Sequence, residues 1–121
     1  MSTLGIRQGK TLRRRWIWCN PIPGSDPLRA DRNNPIDITG YSARLEIKIH
    51  RELGDDIPLL SLTDAPGGGL TITGAEGTIA LVVPKEVTAG FDFSSAVWDL
   101  EIEAPDGTVI DMDSGAAQFK R

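Results

Sequence analysis

From Tyr41 to His50 apolar and polar residues alternate without a break. Tyr41, Ala43, Leu45, Ile47 and Ile49 fall on one phase, and Ser42, Arg44, Glu46, Lys48 and His50 on the other. Period two places the first set on one face of an extended strand, whereas a helix would scatter it around its circumference. Residues 96 to 104 repeat the pattern, with Ala96, Trp98, Leu100, Ile102 and Ala104 against Val97, Asp99, Glu101 and Glu103. Shorter runs follow: Ile79, Leu81 and Val83 lie between Gly77 and Pro84, and Leu70 and Ile72 between the run Gly67 to Gly69 and Gly74. Gly74-Ala75-Glu76-Gly77 reads as a hairpin loop. Asp106-Gly107 predicts a second hairpin leading into Thr108 to Met112, because this dipeptide tolerates positive φ. Leu59 to Leu62 and Gly115 to Phe119 add two short strands. Lys10 to Cys19 adds an N-terminal one, in which Trp16 and Trp18 share a face with Leu12, and Ile17 and Cys19 share the other with Arg13 and Arg15. The one helical candidate is the turn from Pro84 to Ala89, opened by proline and closed by Gly90.

Composition sharpens this picture. The chain has 121 residues, the size of one domain, and its 13 Gly and 8 Pro fall at the ends of the period-two runs. Only the windows 10 to 20, 41 to 53 and 91 to 104 exceed seven residues without either breaker, so a helical bundle is excluded. Seven to nine short antiparallel strands in one domain, 1 to 121, predict an all-β sandwich or small barrel. Segment 20 to 35, rich in Pro, Gly and Asn, reads as its one long irregular connection. Net charge is -4, but residues 1 to 32 carry +5 and residues 33 to 121 carry -9. A basic strand and loop over 1 to 35 thus precede an acidic body over 36 to 121. Such polarity suits a head-to-tail contact between copies or a partner on one face, unless folding interleaves the two halves.

Candidate chemistry is sparse. His50 is the only histidine and sits on a polar phase, so neither a zinc site with two imidazoles nor a local Ser-His-Asp triad can be built. No catalytic, metal or cofactor residues are assigned and no small-molecule substrate is expected. Asp99, Glu101 and Glu103 stand at steps of ~6.8 Å along one strand face, too far apart to share a calcium ion easily. Arg44 and Lys48 on the other long strand are expected to pair with them. Asp111-Met112-Asp113-Ser114-Gly115 starts like a calcium loop but lacks the third ligand and the closing glutamate. Cys19 is alone, which reads as a buried thiol with no intrachain disulfide. Neither a membrane span nor the apolar core of a secretory signal is found, so synthesis in the cytosol is expected. The cluster Arg13-Arg14-Arg15-Trp16-Ile17-Trp18 invites a nucleic-acid reading, which the acidic remainder disfavours. Arginines at a protein-protein contact fit better, and Arg13, Arg14, Arg15, Arg29 and Arg32 are the candidate partner-binding residues.

The order Gly9, Trp18, Pro35-Ile36-Asp37-Ile38-Thr39-Gly40-Tyr41-Ser42-Ala43-Arg44-Leu45, Gly77-Thr78-Ile79-Ala80-Leu81, Trp98-Asp99-Leu100-Glu101, Asp106-Gly107-Thr108-Val109 and Gly115 resembles small virion proteins of tailed bacteriophages and prophages. It is most similar to the immunoglobulin-like N-terminal domains of phage upper baseplate proteins. Asp111 and Asp113 depart from that pattern, which usually continues through basic and apolar residues. The resemblance implies a single immunoglobulin-like sandwich without the cysteine pair of antibody domains. It also implies a non-enzymatic structural role in the virion, in tail, baseplate, neck or head, through contacts with other virion proteins and copies of itself. The competing expectation is a carbohydrate-binding sandwich that stacks sugars on Tyr41, Trp98 or Trp16.

Overall fold

The computed structural model describes residues 3–21, 30–49, 57–91 and 95–120. Among the described residues ten strands run in chain order: β1 (Leu4–Arg7), β2 (Leu12–Ile17), β3 (Cys19–Pro21), β4 (Ala30–Pro35), β5 (Ser42–Ile49), β6 (Ile57–Thr63), β7 (Leu70–Thr73), β8 (Thr78–Val83), β9 (Ser95–Glu103) and β10 (Val109–Lys120). A five-stranded sheet of order β1-β10-β9-β5-β6 faces a three-stranded sheet of order β2-β8-β7, and β3 and β4 form a separate pair. Without β1 and the β3/β4 pair, these are the B-E-D and G-F-C-C′ orders of an immunoglobulin-type sandwich.

The two long alternating runs fold as their periodicity predicts. On β5 Ala43, Leu45 and Ile47 are buried, and on β9 so are Ala96, Trp98, Leu100 and Ile102. Ile79, Leu81 and Val83 of β8, Leu12 and Trp16 of β2, and Leu4 and Ile6 of β1 complete one apolar core between the sheets. The proline-opened turn is α1 (Lys85–Ala89), and its buried Thr88 donates from Oγ1 to the Lys10 carbonyl at 2.7 Å. Both hairpins are present: Gly77 adopts φ 61 and Gly107 φ 92. Asp106 Oδ1 accepts from Thr108 N at 2.9 Å, which closes the β9–β10 tip.

Four expectations need correction. Leu4–Arg7 is a strand, and it pairs in parallel with β10, so the sandwich is not wholly antiparallel. Four residues with two apolar positions are too short to signal it, and its partner lies at the other end of the chain. Thr108 to Met112 and Gly115 to Phe119 are one strand, because Gly115 takes an extended φ of 157 and a bulge at Met112 keeps the pairing with β9. The N-terminal run breaks at Trp18, whose N–H donates to the Gly77 carbonyl while its own carbonyl accepts from Ile36. Segment 20 to 35 is not wholly irregular, since Cys19–Pro21 pairs with Ala30–Pro35, and Cys19 is half-buried.

Candidate protein-protein interface

Strand β2 decides the fate of the arginine cluster. Its alternation turns Leu12, Arg14 and Trp16 toward the facing sheet and leaves Arg13, Arg15 and Ile17 outside. Arg14 is therefore structural. Its guanidinium carbon lies 5.5 Å from the Trp16 ring centroid and 5.7 Å from that of Trp98, within cation-π range, and it donates to the Thr3 carbonyl at 2.8 Å. The two indoles meet at 5.7 Å between centroids, and Trp16 Nε1 donates to Asp113 Oδ2 at 3.0 Å. This β2–β9 contact joins the sheets through the strands that carry the disulfide in antibody domains. Trp98 and Trp16 are buried and Tyr41 packs edge-on against Trp18, so the three aromatics form no outward platform.

Arg13 and Arg15 project from the outer face of the small sheet, beside Ile17 at 44% exposure and Val82 at 38%. Arg29 and His50 lie outside the described residues, and of Arg32 only its place on β4 is described. The fold adds cations that the sequence reading did not group. In β1–β10 pairing Arg7 stands in register with Lys120, and the turn after β1 brings up Lys10. Together with Arg13 they line a cleft of about 370 Å³ whose lining also includes Ile6 and Leu12 and holds no acidic residue. Among the described residues these four cations and Arg15 make no ion pair. Lys120 comes from the acidic half of the sequence, and only the β1–β10 register could have placed it here.

The opposite end is acidic. Asp106 sits at the β9–β10 tip, and a Cβ on Gly40 would lie 3.3 Å from Pro105, so the Ile36–Tyr41 loop with Asp37 adjoins that tip. Gly74 packs on Thr39 and brings Glu76 to the same end. Neither the 36–41 loop, the 74–77 turn nor the 104–108 tip contains Lys or Arg. Hydrogen bonds from Thr39 hold the Asp37 carboxyl below the usual range, and those from Thr108 do the same for Asp106. Both stay ionised at neutral pH. Twelve residues of β10 separate the basic cleft from the acidic tip, roughly 35 Å at strand rise. The cleft's cations and the tip's carboxylates thus lie far apart among the described residues, although α1 with Glu86 packs beside Lys10 through the Thr88 bond.

The outer face of the large sheet is largely self-compensated, with Arg44 pairing across the strands as expected and Lys48 meeting Glu46 of its own strand β5. Arg44 Nε meets Glu101 Oε2 at 2.8 Å, and Lys48 Nζ meets Glu46 Oε2 at 3.2 Å. Asp99 is the exception, because it stands opposite Glu46. Partial burial raises its pKa, and Glu101, Glu46 and Asp111 raise it further against the pull of Lys48. A raised folded value means that the folded protein holds a proton which the unfolded chain has already lost. Stability then falls as pH rises from the ordinary aspartate range through that raised value. Asp99→Asn should raise the thermal midpoint at pH 7 and lose the advantage at pH 3, as followed by circular dichroism. An unchanged midpoint at pH 7 would refute the strain.

Among the described residues no group of three His, Cys, Asp or Glu is placed to hold a metal ion. Nor is any helix among the described residues long and apolar enough to cross a membrane. In comparisons with known proteins, no family model matches the chain and no curated protein matches its sequence.

Proposed function

We propose that this chain is a non-enzymatic structural subunit of a tailed-bacteriophage virion, synthesised in the host cytoplasm and acting through contacts with copies of itself and with other virion proteins. The observation that carries the reading is the distance along the sandwich between a cleft whose cations make no ion pair among the described residues and the carboxylates of the opposite tip. A contact between unlike surfaces of identical subunits is heterologous, and repeated it generates rings or filaments. The motif resemblance supplies the virion setting, and the strand order is consistent with it. Exposed arginine beside Ile17 and Val82 adds the mixed character of a protein-protein patch.

The test reverses Arg13 and Arg15 and leaves Arg14 alone, because Arg14 stacks on the core tryptophans. In a phage carrying this gene, the Arg13→Glu, Arg15→Glu variant should fold yet be missing from purified particles, or stop their assembly at one intermediate. Quantitative mass spectrometry of the particles and electron microscopy read both. A wild-type chain absent from purified particles would overturn the virion role, and normal incorporation of the variant would remove these two arginines from the contact.

A further inference from the structure

We propose that the cleft lined by Arg7, Lys10, Arg13 and Lys120 is a socket for the acidic β9–β10 tip of a second copy of this chain, an inference that rests on the subunit reading above. Three observations point to an anionic occupant. The cleft is concave, with buried Ile6 and Leu12 in its lining, and its volume of about 370 Å³ lies within the range of ligand-binding pockets. Its cations are left uncompensated by the described residues, although the chain as a whole is acidic. Arg7 and Lys120 are also register partners, and like charges directly across a sheet repel. The isolated subunit carries that repulsion, and an incoming carboxylate relieves it.

The tip fits this requirement in charge and in shape. Glu103 and Asp106 present two carboxylates on residues 103 to 106, and Asp106 is already oriented by its bond from Thr108. Gly107 has open space around it, so the tip is narrow. Other carboxylates serve less well: Glu101 is engaged by Arg44, and Asp113 accepts from Trp16. Socket and tip lie at opposite ends of β10, so one molecule cannot satisfy itself. Each docking event leaves one socket and one tip open, and growth follows the strand axis.

Sedimentation velocity of the full chain tests this with two variants. The socket variant is Lys10→Glu, Lys120→Glu. The tip variant is Glu103→Gln, Asp106→Asn, in which the asparagine can still accept from Thr108. All four positions are at least partly exposed, and circular dichroism checks folding. Wild type should self-associate with rising concentration and less so at 0.5 M salt. Each variant alone should associate at least roughly tenfold more weakly. The two mixed in equal amounts should give a 1:1 dimer and nothing larger, since the mixture contains one intact tip and one intact socket. Wild type that stays monomeric at every concentration, variants that associate like wild type, or a mixture without dimer would each overturn the socket. None of these results bears on whether the chain is found in particles, so the subunit reading is judged separately.

Discussion

Trp98→Ala should lower the stability of the folded chain by about 4 kcal/mol, the largest loss expected from a single side chain here. Trp98 is 2% exposed, at the centre of the large sheet. Its indole is where the sheets touch, against Trp16 at 5.7 Å and under the Arg14 guanidinium. Truncation removes the transfer free energy of the largest core side chain and leaves a cavity between two rigid sheets that cannot close over it. It also strips one of the two rings under a half-buried cation. For a domain of this size the thermal midpoint should fall by roughly 12 to 16 °C. Trp98→Phe keeps an aromatic face and should lose only about 1 to 2 kcal/mol. Urea denaturation of both variants checks this. A loss below about 1 kcal/mol for the alanine variant would show that the tryptophan pair does not hold the sheets together.

Gly77→Ala is expected to cost about 3 kcal/mol although it adds a single methyl group. The residue adopts φ 61, and a Cβ there would lie 2.6 Å from the carbonyl oxygens of both Trp18 and Ile36. These atoms belong to a knot: Trp18 donates to Gly77, and Ile36 donates to Trp18. The methyl group must displace backbone that is already hydrogen-bonded, so strain and lost bonds add. Gly107→Ala separates the two causes, because Gly107 has a comparable φ of 92 with nothing within 4 Å of the added carbon. That variant should lose only about 1 kcal/mol, the price of the left-handed conformation alone. Equal losses at the two positions in the same urea titration would mean that the knot yields freely.

Period-two alternation made β5 and β9 legible because each buries one face along its whole length. The glycine-flanked strands β7 and β8 were legible because their turns carry residues that tolerate positive φ. What stayed hidden was held by long-range backbone pairing. β1 has two apolar residues and depends on a parallel neighbour more than a hundred positions away. β4, Ala30–Pro35, has no alternation and is recognised only by its bonds to β3. The candidate interface followed the same division. The arginine run was visible at once, but which of its members point outward depends on the phase of β2, and the place of Lys120 depends on the β1–β10 register. Charge counted along the chain grouped Arg14 with the outward arginines and left Lys120 out of the cluster.

Arg14 has a further consequence that concerns what the chain does not do. β2 is an edge strand, bonded to β8 on one side only, and an open edge is a template for a strand from another molecule. A charged side chain turned inward on such a strand penalises a second strand added beside it, because the newcomer's facing residue would have to shield the guanidinium from water. Sideways sheet extension is thereby discouraged at the strand that carries the exposed arginines. A molecule that meets this face therefore does so through side chains, Arg13 and Arg15 among them, and not through backbone bonds.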